Sequence, residues 1–213
     1  DGRPQALLEA SQLSATRTAA SAALAARTLL PGGSFGGVSL IGAGAVNFEV
    51  LRYLVAVDPN VRAATVFDTD PRRAADFAAR AGHLLPAIEP TRRIDQALAR
   101  HPLISLATTA AEPHIDLAAC RKGAVVLHIS LRDIAPATIR NAHNVVDDAD
   151  HVCRQHTSLH LAEIEAGNRR FIDAALGDLQ HHKSGEDSTR HGRRGTGRRR
   201  HGEQGSAADY GRR

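Results

Sequence analysis

The stretch Val38-Ser-Leu-Ile-Gly-Ala-Gly-Ala-Val-Asn47 decides the fold. It joins a short apolar run, typical of a buried strand, directly to a helical pattern over Ala45–Val57. Gly42 permits a tight turn between the two, and Gly44 allows the backbone to come close to a phosphate. A strand, two glycines and a helix in this order predict the first half of a βαβ unit with a phosphate-binding loop.

The first turn of this helix completes the predicted phosphate site. It contains Ala45 and Val46, where free N–H groups and the positive end of the helix dipole attract an anion. The pattern has a third glycine position, which here holds Asn47, and this difference weakens the match. The alternative interpretation is a tight strand–helix turn that binds no ligand.

A carboxylate follows the second apolar run, at Asp68. A dinucleotide site needs an acceptor there for the adenosine ribose hydroxyls, and a carboxylate repels the 2′-phosphate of NADP. We therefore predict that Asp68 binds the ribose and that the cofactor is NAD. The alternative is that Asp68 or Asp70 only caps the next helix, and for Asp70, followed by Pro71, capping is the preferred interpretation.

Further apolar runs alternate with helical or turn-like sequence along the chain, at residues 63–67, 103–107, 125–129 and 144–147. Near-continuous apolar strands separated by helices indicate a parallel sheet that is covered on both faces. The sequence therefore predicts an α/β fold, a Rossmann-type doubly wound parallel sheet over residues 36–150. One or two more helices are predicted over residues 149–179, with a break at Gly167-Asn168.

The two ends of the chain differ from this pattern. Residues 4–30 are predicted to form a long, mostly buried helix that stops at Pro31-Gly32-Gly33. Its apolar positions are Leu7, Leu8, Leu13, Ala20, Ala23, Leu24 and Leu29. Residues 181–213 lack hydrophobic periodicity and carry nine Lys/Arg against four Asp/Glu, so this basic tail is predicted to be disordered.

Composition restricts the class of protein further. No apolar run is long enough to cross a membrane and no signal peptide is recognisable, which predicts a cytoplasmic protein that does not bind a membrane. Cys120 and Cys153 are far apart and in no metal-ligand spacing, so we expect reduced thiols and no metal site. Binding of nucleic acid by the basic tail is a weak alternative, because no aromatic residue lies among the five arginines from Arg193 to Arg200.

Polar side chains end two of the later strands. Thr108 and Thr109 follow one strand and Asp133 follows the next, at the carboxyl edge where doubly wound sheets bind their ligands. From position alone these residues are candidates for contact with the cofactor or for catalysis. The alternatives are threonines that simply close a strand and a solvated loop aspartate.

Several segments together resemble the ornithine cyclodeaminase and mu-crystallin family. The resemblance covers residues 4–180, and it is specific in aggregate although no single motif is. The segments that carry it are Ser14-Ala-Thr-Arg17-Thr18-Ala-Ala-Ser, Val38-Ser-Leu-Ile-Gly-Ala-Gly-Ala-Val-Asn-Phe-Glu-Val-Leu-Arg52, Ala107-Thr-Thr-Ala110, His128-Ile-Ser-Leu-Arg-Asp133, Asn144-Val-Val-Asp-Asp148 and His156-Thr-Ser-Leu-His-Leu-Ala-Glu163.

The resemblance implies roles for individual residues. Arg17 would bind a substrate carboxylate, Thr18 would help to hold the cofactor, and Asp133 would be the acid/base residue beside the nicotinamide. Asn47 is then expected, because this family commonly lacks the third glycine. Full-length members of the family are expected to form homodimers.

The resemblance also implies a reaction. It is strongest to the branch that oxidises N-(2-amino-2-carboxyethyl)-L-glutamate with NAD and releases 2,3-diaminopropionate for siderophore or antibiotic synthesis. The alternatives within the family are ornithine cyclodeaminase, imine reductase and alanine dehydrogenase. An alternative of another class is a non-catalytic dinucleotide-binding remnant.

The resemblance further implies a division of the chain. Residues 1–33 would be a helical remnant of a substrate and dimerisation domain, 34–180 the NAD-binding domain and 181–213 the tail. The chain contains no methionine, and the family's substrate domain has no full counterpart here, so we expect a fragment truncated at both ends.

Overall fold

The structure is a computed structural model that describes residues 2–30, 32 and 34–179. The basic tail lies outside the described residues. The strands are β1 (Gly37–Ile41), β2 (Ala63–Phe67), β3 (Ala87–Thr91), β4 (Leu103–Leu106), β5 (Val125–His128), β6 (Asn144–Val146) and β7 (Ile172–Ala175). The α-helices are α1 (Ser11–Leu29), α2 (Ala45–Val57), α3 (Pro71–Ala81), α4 (Ile94–Arg100), α5 (Pro136–Arg140), α6 (Ala149–Val152) and α7 (Ser158–Ala166).

The first five strands form one parallel sheet in the order β3-β2-β1-β4-β5. The chain moves outward from β1 in one direction and then crosses to β4 on the other side, which creates a switch point at the carboxyl ends of β1 and β4. Every residue of β1 is buried, as expected for the central strand of a covered sheet. The predicted α/β fold with a Rossmann-type parallel sheet is confirmed.

The sheet separates two hydrophobic layers. Helices α1, α2 and α3 cover one face, where the core includes Leu40, Leu51 and Phe77. Helices α4, α5 and α7 cover the other face, where Ile41 and Leu106 contribute side chains. Alternate residues of the strands therefore serve opposite faces, and both faces need an apolar side chain. This requirement explains the near-continuous apolar runs in the sequence.

The predicted N-terminal helix is wrong in its extent and in its buried face. Residues 4–10 are not helical, and Leu7 is 99% exposed. Of the leucines that the prediction used, Leu8, Leu13 and Leu24 are exposed as well. A stripe of small side chains faces α2 and the sheet instead, at Ala15, Ala19, Ala22, Ala23 and Ala26. Small residues allow close approach of the helix, a criterion that leucine spacing does not detect.

Two elements had no counterpart in the sequence analysis. Strand β3 contains Pro90, which lacks a backbone N–H, and it lies at the edge of the sheet where that loss is tolerated. Its residues are mostly half-buried or exposed, so no apolar run indicates it. Helix α4 has only seven residues, of which Ala97 and Leu98 are buried.

The C-terminal part of the described chain also differs from the prediction. Strand β6 pairs in parallel with β7 in a separate two-stranded sheet, and does not extend the main sheet. The segment Ile172–Ala175, predicted as helix, is strand β7. The predicted break is confirmed, because α7 ends at Gly167 with a left-handed φ of 66°. Among the described residues, no helix is long and apolar enough to cross a membrane.

The close contact of α1 with α2 leads to a test of the alanine stripe. Replacing Ala19, which is completely buried, with leucine should lower the free energy of unfolding by about 1 to 3 kcal/mol because the added atoms overfill the interface. Ala20, its exposed neighbour, is the matched control, and Ala20→Leu should change stability by less than about 0.5 kcal/mol. Denaturant unfolding measures both, and equal effects would contradict this packing.

Candidate dinucleotide-binding and active site

The glycine loop is pressed against the end of β4. Gly42 has a φ of 97°, a conformation that side chains disfavour, and a Cβ at this position would overlap the carbonyl oxygen of Ala107. Its N–H donates to the carbonyl of Phe67 at 2.8 Å. Gly42 is therefore required for two independent reasons, backbone conformation and close approach.

Gly44 serves a different purpose. It has an extended backbone with φ −89° and ψ 178°, which alanine also adopts, and a Cβ here would meet nothing within 4 Å. Gly44 is the N-cap of α2, and no side chain caps this helix. The loop thus leaves open space above a helix N-terminus with uncapped N–H groups, in the first turn that includes Ala45 and Val46.

Asn47 stabilises the loop from below. It is completely buried, and its Nδ2 donates to the carbonyls of Ile41 at 2.9 Å and Gly42 at 2.7 Å. Its Oδ1 accepts a 2.7 Å hydrogen bond from Ser105 Oγ on β4. The amide thus connects β1, the loop and β4, which explains how this sequence holds a polar residue at the third glycine position. Ser105, a hydroxyl inside an apolar run, is the signal in the sequence that points to such a partner.

Asp68 holds the loop from the side of β2. The residue is only 8% exposed, and its Oδ2 accepts a 2.8 Å hydrogen bond from the N–H of Ala43. Its Oδ1 accepts a hydrogen bond from the N–H of Asp70 at 3.0 Å. Each carboxylate oxygen can accept a further hydrogen bond, so Asp68 still fits a role at a ribose. Arg73 Nε lies 3.8 Å from Oδ2, which brings a cation near this carboxylate that sequence spacing did not suggest.

Asp70 has the capping role that the sequence favoured. Its Oδ1 accepts a 2.9 Å hydrogen bond from the N–H of Arg72, and Pro71 occupies the first turn of α3. An open pocket of about 480 Å³ lies beside Ala43 and α3. Arg73 and Arg80 line it, together with Phe77. Asp76 also lines the pocket, so the two guanidinium groups leave its charged side chains with a net charge of +1, which suits phosphates.

A second cluster surrounds Asp133, after β5. Asp133 is 0% exposed, and the hydroxyl of Thr108 donates to its Oδ1. His128 Nε2 lies 3.4 Å from Oδ2, and His114 Nε2 lies 3.9 Å from Oδ1. The backbone carbonyl of Asp133 accepts from the N–H groups of His114 at 3.0 Å and Ile115 at 2.9 Å. These bonds join the loops that follow β4 and β5.

The charge state of Asp133 follows from these contacts. Burial alone favours the neutral acid, but the polar side chains of His128, Ser130 and Thr108 close to the carboxylate outweigh it and lower the pKa of Asp133 to about 2. The carboxylate is therefore ionised at neutral pH although no part of the residue is exposed.

The two clusters are connected through the end of β4. Gly42 approaches the carbonyl of Ala107, and the next residue, Thr108, binds Asp133. Of the other predicted site residues, Thr109 is exposed, and Arg17 and Thr18 lie on α1. Among the described residues, no hydrogen bond or ion pair links Arg17 or Thr18 to the glycine loop or to Asp133.

Sequence reasoning gave no role to His114 or His128. His128 is the last residue of β5, so its place at the carboxyl edge was a readable signal. His114 could be found only through the fold, because its loop crosses to Asp133. In the part of the chain that the structure describes, no group of three or more His, Cys, Asp or Glu side chains could hold a metal ion.

A switch point with an open glycine loop and a carboxylate at its edge defines the class, a protein with a Rossmann-type fold, the fold in which dinucleotides bind at such a switch point. Within this class the chain belongs to the ornithine cyclodeaminase/mu-crystallin family, whose family model matches residues 1–148.

Three known proteins are similar to most of the chain. N-((2S)-2-amino-2-carboxyethyl)-L-glutamate dehydrogenase of Staphylococcus aureus (strain NCTC 8325 / PS 47) is 27% identical over 180 residues, which cover 83% of this chain and 53% of the relative. The crystal structure of CmnK is 30% identical with a TM-score of 0.70, covering 80% of this chain and 51% of CmnK.

The third is the structure of Thermococcus litoralis Delta(1)-pyrroline-2-carboxylate reductase in complex with NADH and L-proline. It is 25% identical with a TM-score of 0.72, covering 82% of this chain and 56% of that protein. The chain thus spans about half the length of each of these relatives.

The two glycines of the loop lead to a matched pair of variants. Gly42→Ala should lower the free energy of unfolding by about 2 to 4 kcal/mol, because of the strained backbone and the overlap with Ala107. Gly44→Ala should leave stability within about 0.5 kcal/mol of the unchanged protein. Its methyl group should nevertheless weaken NAD binding by about tenfold or more, because it enters the space expected for the pyrophosphate.

Denaturant unfolding and calorimetric titration with NAD measure the two effects separately. A stable Gly44→Ala variant that binds NAD with unchanged affinity would show that the open space above α2 is not used by the cofactor.

Proposed function

We propose that this chain forms the cofactor-binding part of an NAD-dependent oxidoreductase that acts on the CH–NH group of an amino-acid derivative. The observation that carries the proposal is the connection of an open phosphate loop to a buried, ionised carboxylate through two consecutive residues, Ala107 and Thr108. Cofactor binding and proton transfer therefore have candidate groups at one edge of one sheet.

The residues present fit a dinucleotide. The uncapped N-terminus of α2 and the space above Gly44 suit a pyrophosphate, with Gly42, Ala45 and Val46 in the same loop. Asp68 would accept hydrogen bonds from the adenosine ribose. Thr18, Thr108 and Thr109 are the remaining proposed cofactor contacts, of which Thr108 has support from its place beside Asp133.

The proposed substrate is N-(2-amino-2-carboxyethyl)-L-glutamate, the compound named in the S. aureus relative. When bound, the nicotinamide would accept a hydride from the carbon that bears the secondary amine. Loss of the hydride leaves a protonated imine, and addition of water gives 2-oxoglutarate and 2,3-diaminopropionate, with one proton released overall.

The chain's own residues would support this chemistry in two ways. The carboxylate of Asp133 stabilises the positive charge of the protonated imine and takes part in proton transfer. Arg17 would orient a substrate carboxylate from α1. The pKa of Asp133, about 2, keeps the charge in place over the pH range in which the reaction would run.

A second candidate within the same family is imine reduction or cyclodeamination. It is supported by the similarity to the pyrroline-2-carboxylate reductase, and it would use the same proposed cofactor-binding residues. A candidate of another class is a dinucleotide-binding chain without turnover. Product analysis separates the first two, because only the glutamate conjugate yields 2,3-diaminopropionate.

The activity test uses the purified chain with NAD and the glutamate conjugate, and with ornithine, alanine and proline in parallel. We expect NADH absorbance and 2,3-diaminopropionate from the conjugate alone. Asp133→Asn should lower kcat by about 100- to 10,000-fold while NAD affinity changes less than twofold, because only the reacting groups are altered. Tight NAD binding without NADH formation from any substrate would support the alternative, a dinucleotide-binding chain that has no catalytic activity.

Cofactor preference gives an independent prediction. NAD should bind more tightly than NADP, because Asp68 repels a 2′-phosphate. Asp68→Ala should weaken NAD binding by about 1 to 3 kcal/mol, the usual scale for the loss of a buried polar partner, and narrow the preference. Asp68→Asn keeps an acceptor for the N–H of Ala43 but removes the charge, so it should improve NADP binding relative to NAD.

Calorimetric titration with both nucleotides measures these effects, and Asp70→Ala is the control because Asp70 caps α3 and is exposed. Equal affinity for NAD and NADP in the unchanged protein would remove Asp68 from this role, as Arg73 would then be the dominant charge at the ribose.

A further inference from the structure

His128 and Asp133 form a pair of buried groups whose facing atoms lack other partners. His128 Nε2 and Asp133 Oδ2 are both buried, and neither has a hydrogen bond within the described residues. They lie 3.4 Å apart. An approach of a few tenths of an ångström would turn this contact into a hydrogen bond that satisfies both atoms at once.

The loop that joins the two residues has little freedom. The N–H groups of Ile129 and Ser130 both donate to the carbonyl of Leu106 at 3.0 Å, and so does the hydroxyl of Ser130. Thr108, two residues beyond Leu106, holds the other carboxylate oxygen. The end of β4 therefore determines where both members of the pair lie.

Asp133 alone is poorly suited to exchange protons. Asp133 is completely buried, and its Oδ1 already accepts a hydrogen bond from Thr108. Its pKa of about 2 is far from neutral pH. General acid/base catalysis is most effective when the group titrates near the working pH. The side chain of His128 retains 12% exposure, and its imidazole has a second nitrogen that can accept a proton.

We propose that His128 carries the exchanging proton and that Asp133 is its fixed partner, a histidine–carboxylate pair. This inference rests on the proposed amine oxidation. The Nε2–H group of His128 donates to Asp133 Oδ2, which leaves Nδ1 as the proton acceptor.

The proton balance of this proposal is closed. Nδ1 takes the proton that the substrate ammonium must lose before hydride leaves its carbon for NAD. The resulting imidazolium returns this proton to the departing amine nitrogen after water has added to the imine. Of the two protons of this water, one ends on the amine, which leaves as an ammonium, and the other is released to solvent. Asp133 stays ionised throughout and stabilises the imidazolium.

His114 makes a looser contact with the same carboxylate than His128 does. Of the ionisable groups in the described chain, these two histidines are the ones recorded within 4 Å of the Asp133 carboxylate. His114 lies farther away, at 3.9 Å from an oxygen that already accepts from Thr108, and it is 39% exposed. His114 therefore has the same imidazole group as His128 but lies farther from the Asp133 carboxylate.

The first test reads the pair directly and needs no turnover. Long-range ¹H–¹⁵N spectra of the full chain, with assignment by His128→Gln, report the tautomer of the ring. We expect a single Nε2–H tautomer for His128 with a slowly exchanging ring proton, lost in Asp133→Ala. A protonated Nδ1 and a bare Nε2 in neutral His128, or a ring proton that Asp133→Ala leaves unchanged, would overturn the pair.

The second test reads the role in the reaction. His128→Gln should lower kcat by about 100- to 10,000-fold and change the shape of the pH–rate profile, with NAD affinity within twofold. His143→Gln, at a histidine whose side chain is 99% exposed, should stay within about threefold in kcat. His128→Asn is the second variant, and calorimetric NAD binding confirms that each variant is folded.

If His128→Gln and His128→Asn keep kcat within threefold and the unchanged pH profile while Asp133→Asn is inactive, Asp133 acts without His128 and the proposal is wrong. The two tests also separate this failure from that of the proposed function. If His128 has the predicted tautomer but the chain turns over no amine, both the proposed oxidoreductase function and the catalytic role of His128 are wrong. If the chain is active and His128→Gln does not change its activity, only the catalytic role of His128 is wrong.

Discussion

The close approach of Gly42 to the carbonyl of Ala107 is the constraint on which the site depends. It requires a residue without a side chain at a positive φ, and it brings the loop after β1 against the end of β4. Asn47 secures the same junction with its buried amide, through Ile41, Gly42 and Ser105. The position of Thr108, and through it that of Asp133, follows from this junction.

The polar groups of the site are held by backbone donors and by neutral partners more than by ion pairs. Asp68 accepts from two backbone N–H groups, and Asp133 accepts from the hydroxyl of Thr108. Such hydrogen bonds compensate for the burial of each charge without neutralising it. The edge of the sheet therefore holds two carboxylates on either side of an uncapped helix N-terminus, an arrangement that suits a molecule with both phosphates and a cationic ring.

The parallel sheet and the glycine loop could be predicted because their residues satisfy strong local rules. Strand β1 is buried on both faces, so all its residues are apolar or small, and Gly42 has no substitute. Of the alanine stripe of α1 the prediction contained only Ala23, because apolar spacing measures hydrophobicity and not close approach. Strand β3 was missed because it lies at the edge of the sheet. An edge strand can do without an apolar run, and it does not need a hydrogen bond from every backbone N–H group.

Some features of the site could not be predicted because they depend on contacts between segments that are distant in sequence. Asp133 was identified by its place after a strand and by the resemblance, but its partner His114 comes from another loop. Asn47 was read as a departure from a motif, whereas its hydrogen bonds depend on Ser105, which is 58 residues away in sequence. Contacts between distant segments carry no local signal, so only the fold reveals them.

The central claim is that the N-terminus of α2 binds the pyrophosphate of NAD. Amide ¹H–¹⁵N spectra of the assigned chain, recorded during titration with NAD, test it most directly. The account predicts saturable shifts at the N–H groups of Gly44, Ala45 and Val46, with smaller shifts at Thr108. Saturation with NAD that leaves these amides unmoved, or shifts confined to residues 181–213, would contradict it.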